Sequence, residues 1–199
     1  MIYLHRNLKG LATIASKDSA RYALSYVKLC AVGNGYRVEA TDGRRLAIVQ
    51  GVFPSVAERQ AEEWAVLIPQ SKWSEAMAMG PDGAIRLPIA VERTANGVVM
   101  QRGTETVTVV QDNGLRFPST DTVRPKNAPL AEVTLNVALL ISLLEVCQQI
   151  QGKIHKYGSV TLKYFGQGIP IGLSARGGPN NEQTFDALLM PMDDPKESI

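Results

Sequence analysis

A strand, a helix and three further strands recur three times along this chain, and that recurrence limits the folds open to it. The repeats begin near residues 1, 63 and 131, a spacing of roughly 65 residues with little identity between copies. In the first, Leu8, Leu11, Ala12 and Ala15 share one helical face within 7–16, with Asn7 as the expected N-cap, and strand-like runs cover 21–31, 36–41 and 45–52. The second reads as a strand at 64–68, a helix at 71–79 with Trp73, Ala76 and Met77 on one side, and strands at 84–92, 97–102 and 106–111. The third reads as a strand at 132–135 and a helix capped by Asn136, with an apolar face of Leu139, Leu140, Leu143, Leu144, Cys147 and Ile150. Strands at 159–165, 169–175 and 183–192 complete it. Gly33-Asn34-Gly35, Asp42-Gly43, Asn96-Gly97 and the step at 103–105 supply turns. An Asp-Gly step between apolar-rich runs predicts a tight hairpin whose central residues take positive φ. Each repeat makes an antiparallel sheet with one helix, and the sheet must hide its apolar face under that helix and a neighbouring repeat. The expected fold class is α+β.

The 199 residues suit one large or two small domains, long enough for a core without staples. Apolar residues at 45% and charged residues at 20% are ordinary for a soluble globular protein. A net charge of +2 excludes a bulk polycation, so any nucleic-acid role needs local basic clustering. No run approaches ~18 apolar residues, and residues 1–6 lack the apolar stretch of a leader, so neither a membrane span nor a signal peptide is expected. Cys30 and Cys147 stand in unrelated contexts and form no disulfide framework. The expectation is a reduced, cytoplasmic protein.

The residues offer little for catalysis, and an enzyme is not expected. His5 and His155 are the only histidines, and neither has a plausible acid–base partner nearby in sequence. Without a Cys-x-x-Cys pair a zinc site is unsupported, and no metal or cofactor is expected. Gly166-Gln167-Gly168 has the look of part of a phosphate loop, but Pro170 and a strand-like run follow where a helix N-terminus is needed, so it reads as a hairpin turn. Asp193-Asp194 reads as a solvated tail. Cys30 and Cys147 read as small core hydrophobes, and Trp64 and Trp73 as packing residues.

The stretch VEATDGRRLAIV, residues 38–49, is more pointed. Thr41, Arg44, Arg45 and Leu46 gather around the Asp42-Gly43 step. On spacing alone it has two readings. Asp-Gly makes the turn and the arginines are solvated, or the turn forms a polar rim beside an apolar pocket suited to a peptide.

Four motifs in order carry a resemblance. ARYALSYV followed by YRVEATDGRRLAIV resembles the middle domain of the bacterial β sliding clamp family, the processivity subunits of DNA polymerase III, with Arg44 in place of the usual His. AVLIPQSKWSEAM is similar to the strand, proline and helix that open the second half of a clamp domain. LRFPSTDTVRPKN resembles the interdomain connector, and FDALLMPMD the family's C-terminal strand. A clamp domain is two βαβββ halves, so the resemblance implies one and a half domains: a complete one over 1–117, a connector over 118–130, and a half domain with a short tail over 131–199.

The resemblance also implies a role. Family members dock short peptides of polymerase and repair proteins into a pocket between the middle domain and the end of the last. Carried over by motif position, one wall is Leu24, Thr41, Gly43, Arg45 and Leu46, the connector adds Pro118 and Val123, and the other wall is Leu188, Met190, Pro191 and Met192. Leu, Val and Met make an adaptable apolar slot, and Thr41 and Arg45 are suited to fixing polar atoms. Asp193 stands where the family usually has Arg, Thr122 sits at an often basic connector position, and 194–199 overshoot the usual end.

Clamp helices face double-stranded DNA through basic side chains. Here Arg6, Lys9, Lys17, Arg21, Lys72, Lys153 and Lys156 are the candidates, a sparse lining that also reads as ordinary solvated helix surface. The unmatched half is expected to self-associate through 131–199 as a homo-oligomer, building a composite domain across a two-fold axis. Four chains would supply the twelve halves of a family ring. The expected function is a non-enzymatic clamp-like protein that binds clamp-motif peptides and encircles DNA as an oligomer. The alternative is a phage- or mobile-element-type protein that sequesters those peptides without binding DNA.

Overall fold

Turns at the expected glycines close antiparallel sheets in the computed structural model, which describes residues 1–16, 23–52, 63–80, 88–112, 114–123, 125–151, 158–177 and 183–192. The architecture is α+β, and the chain divides into two compact units, Met1–Arg124 and Pro125–Ile199.

The first unit runs β1 (Ile2–Leu4), a 3-10 turn (Arg6–Gly10), α1 (Leu11–Ile14), β2 (Tyr26–Val32), β3 (Gly35–Thr41), β4 (Leu46–Val52), β5 (Trp64–Pro69), α2 (Gln70–Ala78), β6 (Ile89–Thr94), β7 (Gly97–Arg102) and β8 (Glu105–Val110). Its sheets have strand orders β4-β3-β2-β5 and β1-β6-β7-β8. The opening strand of each repeat leaves its own repeat: β1 pairs with β6 and β5 with β2, both antiparallel. The two halves are thereby interlocked by reciprocal strand exchange.

Period-two alternation decides which face is buried. Val27, Leu29 and Ala31 of β2, Val38 and Ala40 of β3, Trp64, Val66 and Ile68 of β5, and Val98 and Met100 of β7 all enter one core. Leu8, Leu11 and Ala12 meet Trp73, Ala76 and Met77 in that same core, so the helices of both halves share it. Trp73 is fully buried and its indole N–H donates to Leu8 O at 3.2 Å, which satisfies its one polar atom. At the C-terminal end of α2, Arg6 Nε donates to Met77 O at 3.1 Å and Arg102 Nη1 to Met79 O. Two guanidinium groups thus satisfy carbonyls that the helix itself leaves open. Gly97 takes φ +151, and a Cβ there would lie 2.0 Å from Val109 O, so the Asn96-Gly97 turn requires glycine.

The second unit is α3 (Val137–Gln151), β9 (Thr161–Lys163), β10 (Ile171–Gly177) and β11 (Gln183–Leu189), with sheet order β11-β10-β9. Ile171, Leu173 and Leu189 form its small core, flanked by half-buried Leu140, Leu143, Val133 and Leu135. Asn136 caps α3 as expected, its Oδ1 accepting from Leu139 N at 3.1 Å. Residues 166–168 form part of the β9–β10 connection, with Ile169 N donating to Gly166 O, as the hairpin reading requires.

Several expectations are corrected. The helix at 7–16 is a 3-10 turn followed by four α-helical residues, and His5 rather than Asn7 precedes it. Gly10, a poor helix former, sits at the junction. The run at 132–135 forms no ladder strand; its one backbone bond to the end of the chain is Met192 N to Thr134 O at 2.8 Å. Its counterparts β1 and β5 each require the sheet of a second half, and this unit contains one half. On α3, Leu139 and Leu144 are exposed rather than covered, because the apolar stripe is wider than a three-stranded sheet. Cys30 is buried as expected, on the face of β2 that carries Lys28, and burial first of all pushes its thiol pKa up.

Replacing Trp73 by Ala removes the largest fully buried side chain from the shared core and takes away the indole donor to Leu8 O. The expected loss of stability is ~3–5 kcal/mol, read by urea denaturation.

Candidate functional site

The β3–β4 connection is a hairpin loop of residues 42–45, since Thr41 and Leu46 are the last paired residues. Asp42 N donates to Arg45 O at 3.4 Å across it, so the two tip residues are Gly43 and Arg44 rather than the expected Asp42 and Gly43. Gly43 supplies φ +86. Asp42 organises the rest: its Oδ1 accepts from Arg44 N at 2.9 Å and Arg45 N at 3.0 Å, and its Oδ2 from Arg45 Nε at 2.9 Å. Bonding to the Arg44 backbone first, then to the backbone and side chain of Arg45, lowers the Asp42 pKa to about 2. The Thr41 hydroxyl accepts from Gly43 N at 3.0 Å and donates to Arg45 O at 2.8 Å. Arg45 Nη2 donates to Thr13 O at 2.8 Å, which ties the loop to α1.

Two of the expected peptide-contacting groups therefore serve the loop itself. The proton of Thr41 goes to Arg45 O, and Arg45 uses Nε and Nη2 within the unit while more than half of its side chain stays exposed. Leu46, which follows the loop at the start of β4, is half-buried, as is Leu24. The arrangement is a rigid polar rim with a greasy shoulder.

The connector residues are positioned by a cluster that sequence reasoning missed. Glu39 on β3 is fully buried, on the face opposite Val38 and Ala40. Its Oε1 accepts from Thr120 Oγ1 at 2.7 Å and pairs with Arg37 Nη2. Arg37 Nη2 also donates to Thr120 Oγ1 at 2.8 Å and Asp121 Oδ1 at 2.9 Å. Lys28 Nζ lies 3.3 Å from Glu39 Oε2, an ion pair outside hydrogen-bond alignment, and 5.8 Å from the centroid of the Phe117 ring. This cluster holds the segment carrying Pro118 and Val123, both exposed, against β2 and β3. The available signal was the alternation of β3, which places a lone Glu between Val38 and Ala40 and beside the basic Arg37.

In the second unit, Leu188, Met190 and Met192 are 70%, 60% and 50% exposed, with Pro191 half-buried between the methionines. Met190, Pro191 and Met192 line a cleft of about 470 Å³ with Glu132, Val133, Thr134, Tyr164 and 166–168. Its lining mixes thioethers, an aromatic ring and one carboxylate.

The DNA candidates have diverse surroundings. Lys9 is exposed, Lys72 Nζ pairs with Glu75 at 2.7 Å, and Arg6 is engaged with Met77 O. Lys17, Arg21, Lys153 and Lys156 lie outside the described residues, as do His155, Asp193, Asp194 and the rest of the tail. Thr122 is exposed and its hydroxyl donates to Ser119 O. Among the described residues there is no group of three or more His, Cys, Asp or Glu side chains placed to hold a metal ion, and no helix is long and apolar enough to cross a membrane.

Two outcomes test this geometry. The Asp42 carboxylate stabilises the folded loop only while ionised, so its contribution is complete above its ordinary value of 3.8 and is lost as pH falls through about 2. Wild type should exceed Asp42→Asn in stability at neutral pH, and the gap should close over that window in denaturation at stepped pH. Thr120→Val leaves Glu39 short of a donor, and should cost ~1–3 kcal/mol of stability while speeding amide exchange across 117–122.

No family model matches this chain, and no curated protein does either. Solved structures do. The β subunit of DNA polymerase from Streptococcus pyogenes superposes with a TM-score of 0.71 at 18% identity, over 96% of this chain and 50% of that one. The DNA polymerase sliding clamp from Bacillus subtilis gives 0.75 at 15% identity, over 96% and 48%. A putative DNA polymerase III β subunit from Eubacterium rectale gives 0.72 at 14% identity, over 97% and 50%. The chain thus spans about half the length of the structures it matches, and it has the fold of bacterial sliding clamps over that half.

Proposed function

We propose that this protein binds short clamp-motif peptides of DNA replication or repair proteins and acts as a non-enzymatic, clamp-like factor that encircles double-stranded DNA as a homo-oligomer in the cytoplasm. The observation that supports the reading is the exposed apolar run of Leu188, near the end of β11, and Met190 and Met192 just past it, the two methionines lining an open cleft. Exposed side chains of this kind suit the aliphatic and aromatic anchors of a peptide, and methionine adapts to more than one anchor shape. On the first unit, Leu24 and Leu46 supply apolar contact beside the loop held by Asp42, with Thr41, Gly43 and Arg45 in that loop and Pro118 and Val123 on the connector.

A second reading, peptide sequestration without DNA, is favoured by one observation. The described basic candidates are largely committed within the protein, Lys72 to Glu75 and Arg6 to Met77 O, which leaves a weak positive face for a phosphate backbone. Retention on closed circular DNA that falls with salt separates the two readings.

Titration with a fluorescent clamp-binding peptide tests the shared part. Each anchor contact contributes ~1.5–3 kcal/mol, so Met190→Ala and Leu46→Ala should each weaken binding roughly tenfold or more. Affinity unchanged in both variants removes the assignment.

A further inference from the structure

The first unit displays how a βαβββ half completes itself. Its opening strand is added, antiparallel, to the first strand after the helix in the other half: β1 to β6, and β5 to β2. Its helix is covered along one side by the other half as well. On α2 that side is marked by Gln70, whose side chain donates to Ala12 O, and by Met77, which is fully buried.

In the second unit the corresponding strand edge and helix side are exposed, while Val133 and Leu135 of the opening run pack on the unit's own core. The strand after the helix, β9, is the sheet edge, and all three of its residues are exposed. The run at 132–135 is extended in sequence character but joins no sheet. On α3 the side matching Gln70 and Met77 carries Val137, Ile141 and Leu144, which are 69%, 50% and 37% exposed. Leu144 stands seven residues past the start of α3, as Met77 does past the start of α2, yet Met77 is 0% exposed. Within 137–151 the one charged residue is Glu145, so two such helices meet with little charge to bury.

We propose that a second copy of this chain completes the second unit by reciprocal strand exchange. Residues 132–135 of each copy add antiparallel to β9 of the other, and the Val137, Ile141 and Leu144 sides of the two α3 helices pack together across a two-fold axis. The exchange is isologous, so the same surface serves both copies. It pairs a free strand edge that would otherwise be an aggregation hazard. The matching first-unit surfaces point to a half of the same kind as occupant, and another copy provides one with the correct strand and helix spacing. This rests on and deepens the oligomer part of the function proposed above; residues 132–134 also line the cleft beside Met190 and Met192, so assembly is read by mass and peptide binding separately by the titration.

Light scattering on the full chain at tens of micromolar should give a dimer or a multiple of it. Ile141→Glu and Leu144→Glu should each reduce the mass to that of a monomer while the thermal melt is retained, because both side chains lie on the exposed side of α3. Val110→Glu, at an exposed position of β8 in the first unit, should leave the mass unchanged. Amide protection at 161–163 should rise with protein concentration. A monomeric wild type, assembly that survives both α3 variants or is lost in Val110→Glu instead, or protection at 161–163 independent of concentration, each overturns the proposal.

Discussion

Everything in the first unit depends on each half lending its opening strand to the other. A three-stranded sheet with one short helix leaves a strand edge and part of its apolar face uncovered. Passing β1 to the second sheet and β5 to the first makes two four-stranded sheets, and it threads one apolar core through both halves. Ile2 and Leu4 are fully buried although only three residues long as a strand, because they sit in the partner half's sheet. The helices follow: α2 is nine residues long, and its ends and flanks are satisfied by Arg6, Leu8, Ala12 and Arg102 from elsewhere in the unit. The stability of such a helix comes from these tertiary contacts more than from its own propensity.

The same unit places charge where it fixes geometry. Glu39 is buried on the second face of β3 and reaches across 81 residues of sequence to Thr120. A buried carboxylate is costly without partners. Here Thr120, Arg37 and Lys28 surround it, so the connector cannot leave β3 without exposing or orphaning an ionised group. Asp42 works similarly on a smaller scale, by gathering two backbone N–H groups and a guanidinium into one loop. The polar rim and the connector are thus stiffened by carboxylates that point inward, and exposed Pro118 and Val123 inherit their position from that network.

How much of this was legible in sequence depends on range. The recurrence, the α+β class, the β7 strand and the Asn136 cap all follow from local signals that the fold leaves untouched. Elements that rely on distant partners were misjudged. The 7–16 segment carries a good helical stripe, yet Gly10 and close packing on α2 tighten its first part into a 3-10 turn. The 132–135 run has strand character, but a strand exists only when a sheet edge is offered to it. The apolar face of α3 was read as one stripe, and the structure splits it into a covered part around Leu140, Leu143 and Cys147 and exposed shoulders at Leu139 and Leu144. Among the candidate site residues, Leu188 is exposed on β11, and Met190 and Met192 are exposed just past its end. Thr41 and Arg45 are engaged within their loop in a way that spacing does not reveal, and the Glu39–Thr120 contact joins residues that no local pattern connects.

The charge on α3 sharpens what this helix is for. With Leu140, Leu143 and Cys147 turned toward the sheet, the helical period puts Ala138, Ser142, Glu145 and Gln149 on the opposite side, and all four are exposed. A surface that faces a phosphate backbone needs cations, and this one offers a single carboxylate among small and neutral groups. Attraction to DNA along this helix would have to come from outside 137–151. Its own side chains instead favour apolar contact on the shoulders with a neutral, slightly acidic outer face. The composition of α3 is therefore better matched to packing against another helix than to facing a phosphate backbone.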